Sequence, residues 1–172
     1  GMTTATRQAT AKGVVPSGWQ LARLGDRCEH SLGKMLDRQK NRDTERLYLG
    51  NPSVQWLGFD LTDLRTIRIE DHESERCLVK PGDVIGCERG EAGRAAIWNA
   101  ELEEVYIQKT LHRVRVGPEL VSRFLEYWLM RDAKSGNLSR YFAGTSISHF
   151  TGQELHRYKI PLPPLRAPRC LL

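Results

Sequence analysis

Apolar positions change their period along this chain. Up to residue 116 they come in short bursts or alternate with polar residues, the signature of strands; after Pro118 they recur at helical spacing. GWQLARLGDRC opens the patterned part, where Trp19, Leu21 and Leu24 can face a core. The polar stretch from Glu29 to Glu45 reads as a long loop or a frayed helix. LYL (47 to 49) and VQWL (54 to 57) are short strands around the turn signal GNPS. ERCLV, KPGD and VIGCE (75 to 88) predict strand, turn and strand, and AAIW and EVYIQKTLHRVRV supply two more strands. In the last of these, Arg113 and Arg115 alternate with Val114 and Val116, which predicts one basic and one apolar face.

PELVSRFLEYWLMRD (118 to 132) places Leu120, Val121, Phe124, Leu125, Trp128 and Leu129 on one helical face, with Pro118 suited to its first turn. SGNLSRYFA predicts a second short helix, GTSISHFTG a glycine-bounded polar loop, and QELHRY with KIPLPPL a helical turn and an extended exit. The fold class expected is α+β: a twisted, mostly antiparallel or mixed sheet of short strands with C-terminal helices. The 172 residues fit one domain. Residues 1 to 15 are expected to be a mobile arm, with Gly1 as a tag scar, and 16 to 165 a single domain. MTTATRQATAKGVV lacks the apolar run of a signal peptide or a membrane span, so cytoplasmic residence and no membrane partner are the expectation.

Charge adds a partner class. The formal net charge is +5, which favours contact with a polyanion. LGKMLDRQKNRDTERLYL (32 to 49) carries Lys34, Arg38, Lys40, Arg42 and Arg46, and TLHRVRV (110 to 116) carries His112, Arg113 and Arg115. If these segments flank one concave surface, they would neutralise phosphates. The four cysteines show no C-x-x-C spacing and the five histidines are scattered, so a zinc site is not expected.

Candidate chemistry is sparse. ERGEAGRAAIW (88 to 98) is no phosphate-binding P-loop: Gly90 and Gly93 lie too close together, and Arg94 is followed by Ala95 where that motif has a lysine followed by Ser or Thr. It can be a turn between strands, or a loop whose glycines admit a ligand while Arg89 and Arg94 meet phosphate or base edges. A small metal-dependent nuclease or hydrolase would need clustered carboxylates with a lysine. The one D-x-K, Asp132-Ala133-Lys134, reads as a solvated helix end, and Asp83 as a turn residue. Asn51-Pro52-Ser53-Val54 resembles the start of an adenine methyltransferase motif but lacks its second proline and its aromatic residue. Asn51 and Gln55 remain candidates to pair with adenine, or Asn51 merely supports a turn. Ser146, Ser148 and His149 suit polar contacts to a ligand. Trp56, Trp98 and Trp128 fit core positions better than stacking platforms.

LGKMLDRQK, YLGNPSVQW, KPGDVIGCERGEAGRAAIW, YIQKTLHRVRV, GTSISHFTG and IPLPPL occur in that order over residues 17 to 165. The series resembles target recognition domains in the specificity subunits of type I restriction-modification systems. The resemblance implies a non-catalytic domain that reads one half of a split double-stranded DNA target, with Arg89 and Arg94 near DNA on a recognition face. It implies as partners a methyltransferase (modification) subunit, a restriction motor-nuclease subunit, and a second specificity half-subunit or a homodimer. S-adenosylmethionine, ATP and Mg would belong to those partners, with no cofactor on this chain. Family members often have Asn-Val at Pro52-Ser53 and a glycine at Arg89. They continue after PPL with Glu-Gln into a long spacer helix, whereas this sequence reads RAPRCLL. Residues 166 to 172 are therefore expected to be a truncated tail, which puts docking of the methyltransferase subunit in doubt more than DNA reading. A remnant acting only in protein assembly is the other non-catalytic reading.

Overall fold

The computed structural model describes residues 8–10, 13–144 and 146–164. The expected arm beyond these and the 166–172 tail lie outside the described residues. Within the arm, β1 (Gln8–Thr10) and β2 (Gly13–Val15) pair antiparallel. Next come β3 (Gln20–Arg23), β4 (Cys28–Leu32), β5 (Thr44–Leu49), β6 (Val54–Gln55), β7 (Gly58–Phe59) and β8 (Arg65–Ile69). Helix α1 (Asp71–Cys77) precedes β9 (Val84–Cys87), β10 (Ala95–Ile97), β11 (Tyr106–Ile107) and β12 (Leu111–Val116). The chain closes with α2 (Ser122–Lys134), α3 (Gly152–Arg157) and β13 (Lys159–Leu162). Short 3-10 helices cover Leu24–Asp26, Asn51–Ser53 and Asn137–Tyr141.

The α+β expectation holds. An antiparallel sheet ordered β10-β9-β12-β4 forms the centre, and a second sheet, β11-β5-β8, contains one parallel pair, β11 with β5. One face of the central sheet gives Val84, Ala95, Ile97 and Val114 to a core with Leu125 and Leu129 of α2, Leu138, Phe150 and Tyr158. The opposite face gives Ile85, Cys87 and Leu111 to a second core with Leu49, Val54, Trp98 and Ile107. β9 is buried along its whole length because both faces are covered, which is why VIGC reads as a continuous apolar run.

Three expectations need correction. Residues 75 to 77 end α1 rather than begin a strand: Asp71 and Glu73 sit in its first turn and Arg76 in its last, an order that suits the helix dipole. The polar stretch from Glu29 is strand at both ends, in β4 and in the start of β5. Its polar side chains hid it, because Glu29 and Ser31 serve as partners for Arg113 on the neighbouring strand. Finally, α2 begins at Ser122, so Pro118 precedes the helix and Val121 is 67% exposed.

Helix α2 carries two buried acids that the pattern did not assign to the core. The Glu126 carboxylate accepts the main-chain N–H of Ile97 at 2.8 Å, on the outer strand β10. Asp132, read as part of a solvated helix end, is buried and accepts the Tyr158 hydroxyl at 2.5 Å. Trp98 is core, while Trp56 and Trp128 are only partly covered. Trp128 stacks on Phe124 with centroids 5.9 Å apart.

Gly93 shows how tightly the loop before β10 is packed. Its φ is +87°, and a β-carbon there would overlap the buried side chain of Leu138. Gly93→Ala should therefore destabilise the protein by about 2–4 kcal/mol, from left-handed backbone strain together with overpacking. Chemical denaturation measures this directly, and an unchanged midpoint would show that the loop relaxes freely.

Candidate nucleic-acid interface

The register of the central sheet gathers the candidate loops at one end. Leu111 lies opposite Cys87, and His112 opposite Leu32. The segment after β4, the loop after β9 and the turn before β12 therefore leave the sheet together. Main-chain hydrogen bonds hold them: Glu88 N to Thr110 O at 2.9 Å, Gly33 N to Leu111 O at 3.2 Å, and Lys109 N to Lys34 O at 2.8 Å. The Phe150 N–H donates to Glu88 O at 2.6 Å, which fixes the 143–149 loop beside the 88–94 loop. That loop closes on itself through paired Ala143–His149 bonds of 2.8 and 2.9 Å.

The 88–94 loop is wired to the 50–55 segment by Arg94. Its Nε donates to Val54 O at 2.6 Å, and its Nη2 donates to both Asn51 O and Asn51 Oδ1 at 3.1 Å. Asn51 in turn donates through Nδ2 to Arg89 O at 2.6 Å. Gly90, with φ +76°, leaves room for this close approach, since a β-carbon would lie 3.2 Å from Asn51 Oδ1. Glu91 accepts from Trp56 Nε1 at 2.8 Å and from Arg94 Nη1 at 3.1 Å. These bonds, the tryptophan's first, hold its carboxyl below the usual carboxylate range. ERGEAGR is thus both a glycine turn and a braced loop. Its Arg89 side chain is exposed and makes no hydrogen bond or ion pair among the described residues.

The sequence candidates separate into two groups. Arg38, Lys40 and Arg42 are exposed on the 33–43 segment, with Lys40 3.9 Å from Asp37 and Arg42 turned to the carbonyls of Gln39 and Asn41. Gln55 is exposed and bonded to Pro52 O at 2.9 Å, while Ser146 and Ser148 are exposed and His149 is half-buried. Arg89 belongs with these. Asn51 and Arg94, by contrast, spend their polar atoms on the brace described above.

The basic face expected on the last strand does not form. β12 lies between β9 and β4 in the sheet, and its side chains are buried from Leu111 to Val114 and half-buried at Arg115 and Val116. Arg113 is 1% exposed and donates to Glu29 Oε1 at 3.0 Å, Ser31 Oγ at 3.1 Å and Arg76 O at 3.0 Å. Arg115 forms a two-pronged pair with Asp83, 2.9 Å on each arm, so Asp83 is more than a turn residue. Lys34 is also buried, paired with Glu73, whose carboxyl this bond pulls down. His112 is enclosed, with Nε2 2.5 Å from Phe150 O, and burial pushes its pKa down to about 4. Of the cations expected to flank one concave surface, Lys34, Arg113 and Arg115 are thus drawn into ion pairs, and His112 beside them is a neutral imidazole. Lys109 was missed: it is exposed in the turn between β11 and β12, beside Lys34, with no ion-pair partner among the described residues. Its only sequence signal was a lysine between two strand-like runs, which occurs too often to single out.

Among the described residues no group of three or more His, Cys, Asp or Glu side chains is placed to hold a metal ion. No helix among them is long and apolar enough to cross a membrane.

Comparison with solved structures finds the same fold in specificity subunits. A chain from work on complex assembly and conformational transition of the type I R-M system superposes with a TM-score of 0.67 at 22% identity, covering 91% of this chain and 37% of that one. The HsdS subunit from Thermoanaerobacter tengcongensis gives 0.62 at 20% identity, over 90% of this chain and 36% of its own. The type I S subunit from M. genitalium gives 0.52 at 14% identity, over 83% and 34%. The chain thus spans little more than a third of the length of the solved chains it matches. No curated protein matches it. The model of the type I restriction modification DNA specificity domain matches residues 16–167, nearly the whole chain. By that match, this chain belongs to the type I restriction modification DNA specificity domain family.

Proposed function

We propose that the chain reads one half of a split double-stranded DNA target, as a specificity subunit or half-subunit of a type I restriction-modification system. It carries out no chemistry itself. It directs a methyltransferase subunit and a motor-nuclease subunit, which bring S-adenosylmethionine, ATP and Mg, and a second half-subunit or second copy supplies the other half-site. Such an assembly works on the genome in the cytoplasm. The observation that carries the reading is the braced end of the central sheet. Asn51 and Arg94 lock the 88–94 loop, Phe150 ties the 143–149 loop to it, and Arg89 is left projecting with its donors uncommitted among the described residues. A guanidinium carried on such a loop can offer two parallel N–H groups, the fork that guanine accepts in the major groove. Phosphate contacts from Lys40 and Lys109 would set position without carrying sequence information.

Selection of bound duplexes from a random pool, repeated with a methyltransferase subunit present, tests the reading. With the selected site in hand, Arg89→Ala should lose about 1–3 kcal/mol on that site and little on random duplex. Lys109→Ala should weaken both duplexes alike and lower the salt slope by about 0.9. Equal losses on both duplexes for Arg89→Ala would make it a phosphate contact. A pool that returns no enriched sequence would sink the reading.

A further inference from the structure

The internal pairing of Lys34, Arg113 and Arg115 raises a question of supply. DNA affinity comes largely from cations that displace counterions along the backbone. Three cations expected for that task are held by Glu73, Glu29 and Asp83.

A different group of cations lies beside the reading loops. Arg140 and Arg157 both lie over the ring of Tyr141, their Cζ atoms 5.3 and 5.6 Å from its centroid. The Tyr141 hydroxyl accepts the main-chain N–H of Lys159 at 3.3 Å, so β13 starts at the edge of that ring. Lys159 is directly opposite Arg23 in the antiparallel pair of β13 and β3. Glu154 answers one of the four charges, bonding Arg157 at 2.6 Å. Arg23, Arg140 and Lys159 are exposed and have no carboxylate partner among the described residues. Like charges that face each other across a strand pair, as Arg23 and Lys159 do, repel, and an anion seated against them offsets that cost. Cation–π contact holds Arg140 in place before anything binds.

The group adjoins the proposed interface. Tyr141 ends the 3-10 helix that leads into the 143–149 loop. Its ring packs on Tyr158 at 5.1 Å, and Tyr158 packs on Phe150 at 5.9 Å, the residue that fixes the loop to Glu88. Tyr158 therefore links the ring beneath Arg140 to the residue that fixes the reading loops. We propose that Arg23, Arg140 and Lys159 form a second contact site, for the phosphates of the duplex that flanks the bases being read. The proposal rests on the DNA-reading function above and adds a binding surface to it. A duplex is the anion that fits, because the ring that holds Arg140 is linked through Tyr158 to Phe150, which is bonded to Glu88 next to Arg89.

The test is a salt titration on random-sequence duplex. Wild type is compared with the triple variant Arg23→Gln, Arg140→Gln, Lys159→Gln, and with Lys80→Gln, whose charge Glu75 balances near the opposite end of β9. Three lost phosphate contacts should make the logarithmic salt slope shallower by about 2.7, at roughly 0.9 each. The ratio of selected-site to random affinity should stay at its wild-type value, and Lys80→Gln should keep the wild-type slope. The substituted side chains are exposed, so the variant should keep the wild-type melting curve. A triple variant with the wild-type slope overturns the proposal, as would an equal change in Lys80→Gln, which would trace the effect to net charge. In both cases DNA reading stands, whereas a wild-type protein that shows no salt-dependent binding fails the functional reading and this one with it.

Discussion

Arg113→Ala should destabilise the fold by about 3–5 kcal/mol, close to the cost of emptying a large core site. It should leave the salt slope of DNA binding unchanged. The side chain is fully buried between β9 and β4, and it donates to Glu29, Ser31 and the Arg76 carbonyl. Alanine leaves a cavity in the sheet and removes one of the two side-chain hydrogen bonds to the Arg76 carbonyl, the other coming from Ser31 Oγ. Glu29 is largely exposed and can turn to water, so the loss arises mainly from packing and lost hydrogen bonds rather than from a stranded charge. Glu29 should titrate nearer the ordinary carboxylate range in the variant, because its hydrogen bond to Arg113 is the leading reason it lies low. Arg113→Met, which refills much of the volume, should recover part of the loss. Denaturant unfolding of the two variants checks the stability claim and a salt titration the other. A stable Arg113→Ala protein with a shallower salt slope would return Arg113 to the DNA surface.

Acid should loosen the protein through His112. In the unfolded chain this imidazole titrates near 6.5, and in the fold burial lowers it to about 4. Above pH 6.5 it is neutral in both states and contributes no pH dependence. As pH falls below 6.5 the unfolded chain takes up a proton that the folded one refuses. Stability then declines until about pH 4, by about 3 kcal/mol in all. His30, lowered chiefly by its own burial, pulls the same way. His112→Gln keeps a donor for Phe150 O and removes the titration, so it should flatten the decline between pH 6.5 and 4. A variant with the wild-type pH profile would place the acid sensitivity elsewhere. Because His112 touches the residue that anchors the 143–149 loop, DNA binding by the folded protein should weaken only as pH falls to about 4, where the folded imidazole takes up its proton.

Elements whose evidence lies within a few residues were legible in the sequence. The face of α2 bearing Leu125 and Leu129, the strands β9, β10 and β12, and the glycine-bounded loop 144–152 follow from period and turn chemistry. The fate of charged side chains did not follow. Arg113 finds Glu29 across 84 positions of sequence, and Arg94 finds Asn51 across 43. Alternation on β12 correctly put Arg113 and Arg115 on one face and could not tell that this face is covered. α1 was hidden because its cues are acids and one arginine at the right ends, in a segment too short to show a helical period. Asn51 and Gln55, equal candidates in sequence, separate only when Arg94 is seen to hold the first.

The brace around the 88–94 loop has an evolutionary consequence. Arg94 grips the carbonyls of Val54 and Asn51, and the loops are stitched through the main-chain atoms of Glu88, Thr110 and Phe150. Every residue type presents these atoms, so most of the brace is indifferent to which side chains stand at positions 55, 89, 146 and 148. Those positions can mutate without the chain leaving its path. On the proposed function, a lineage can therefore exchange the residues at these positions one at a time, on a frame that need not be refolded with each exchange.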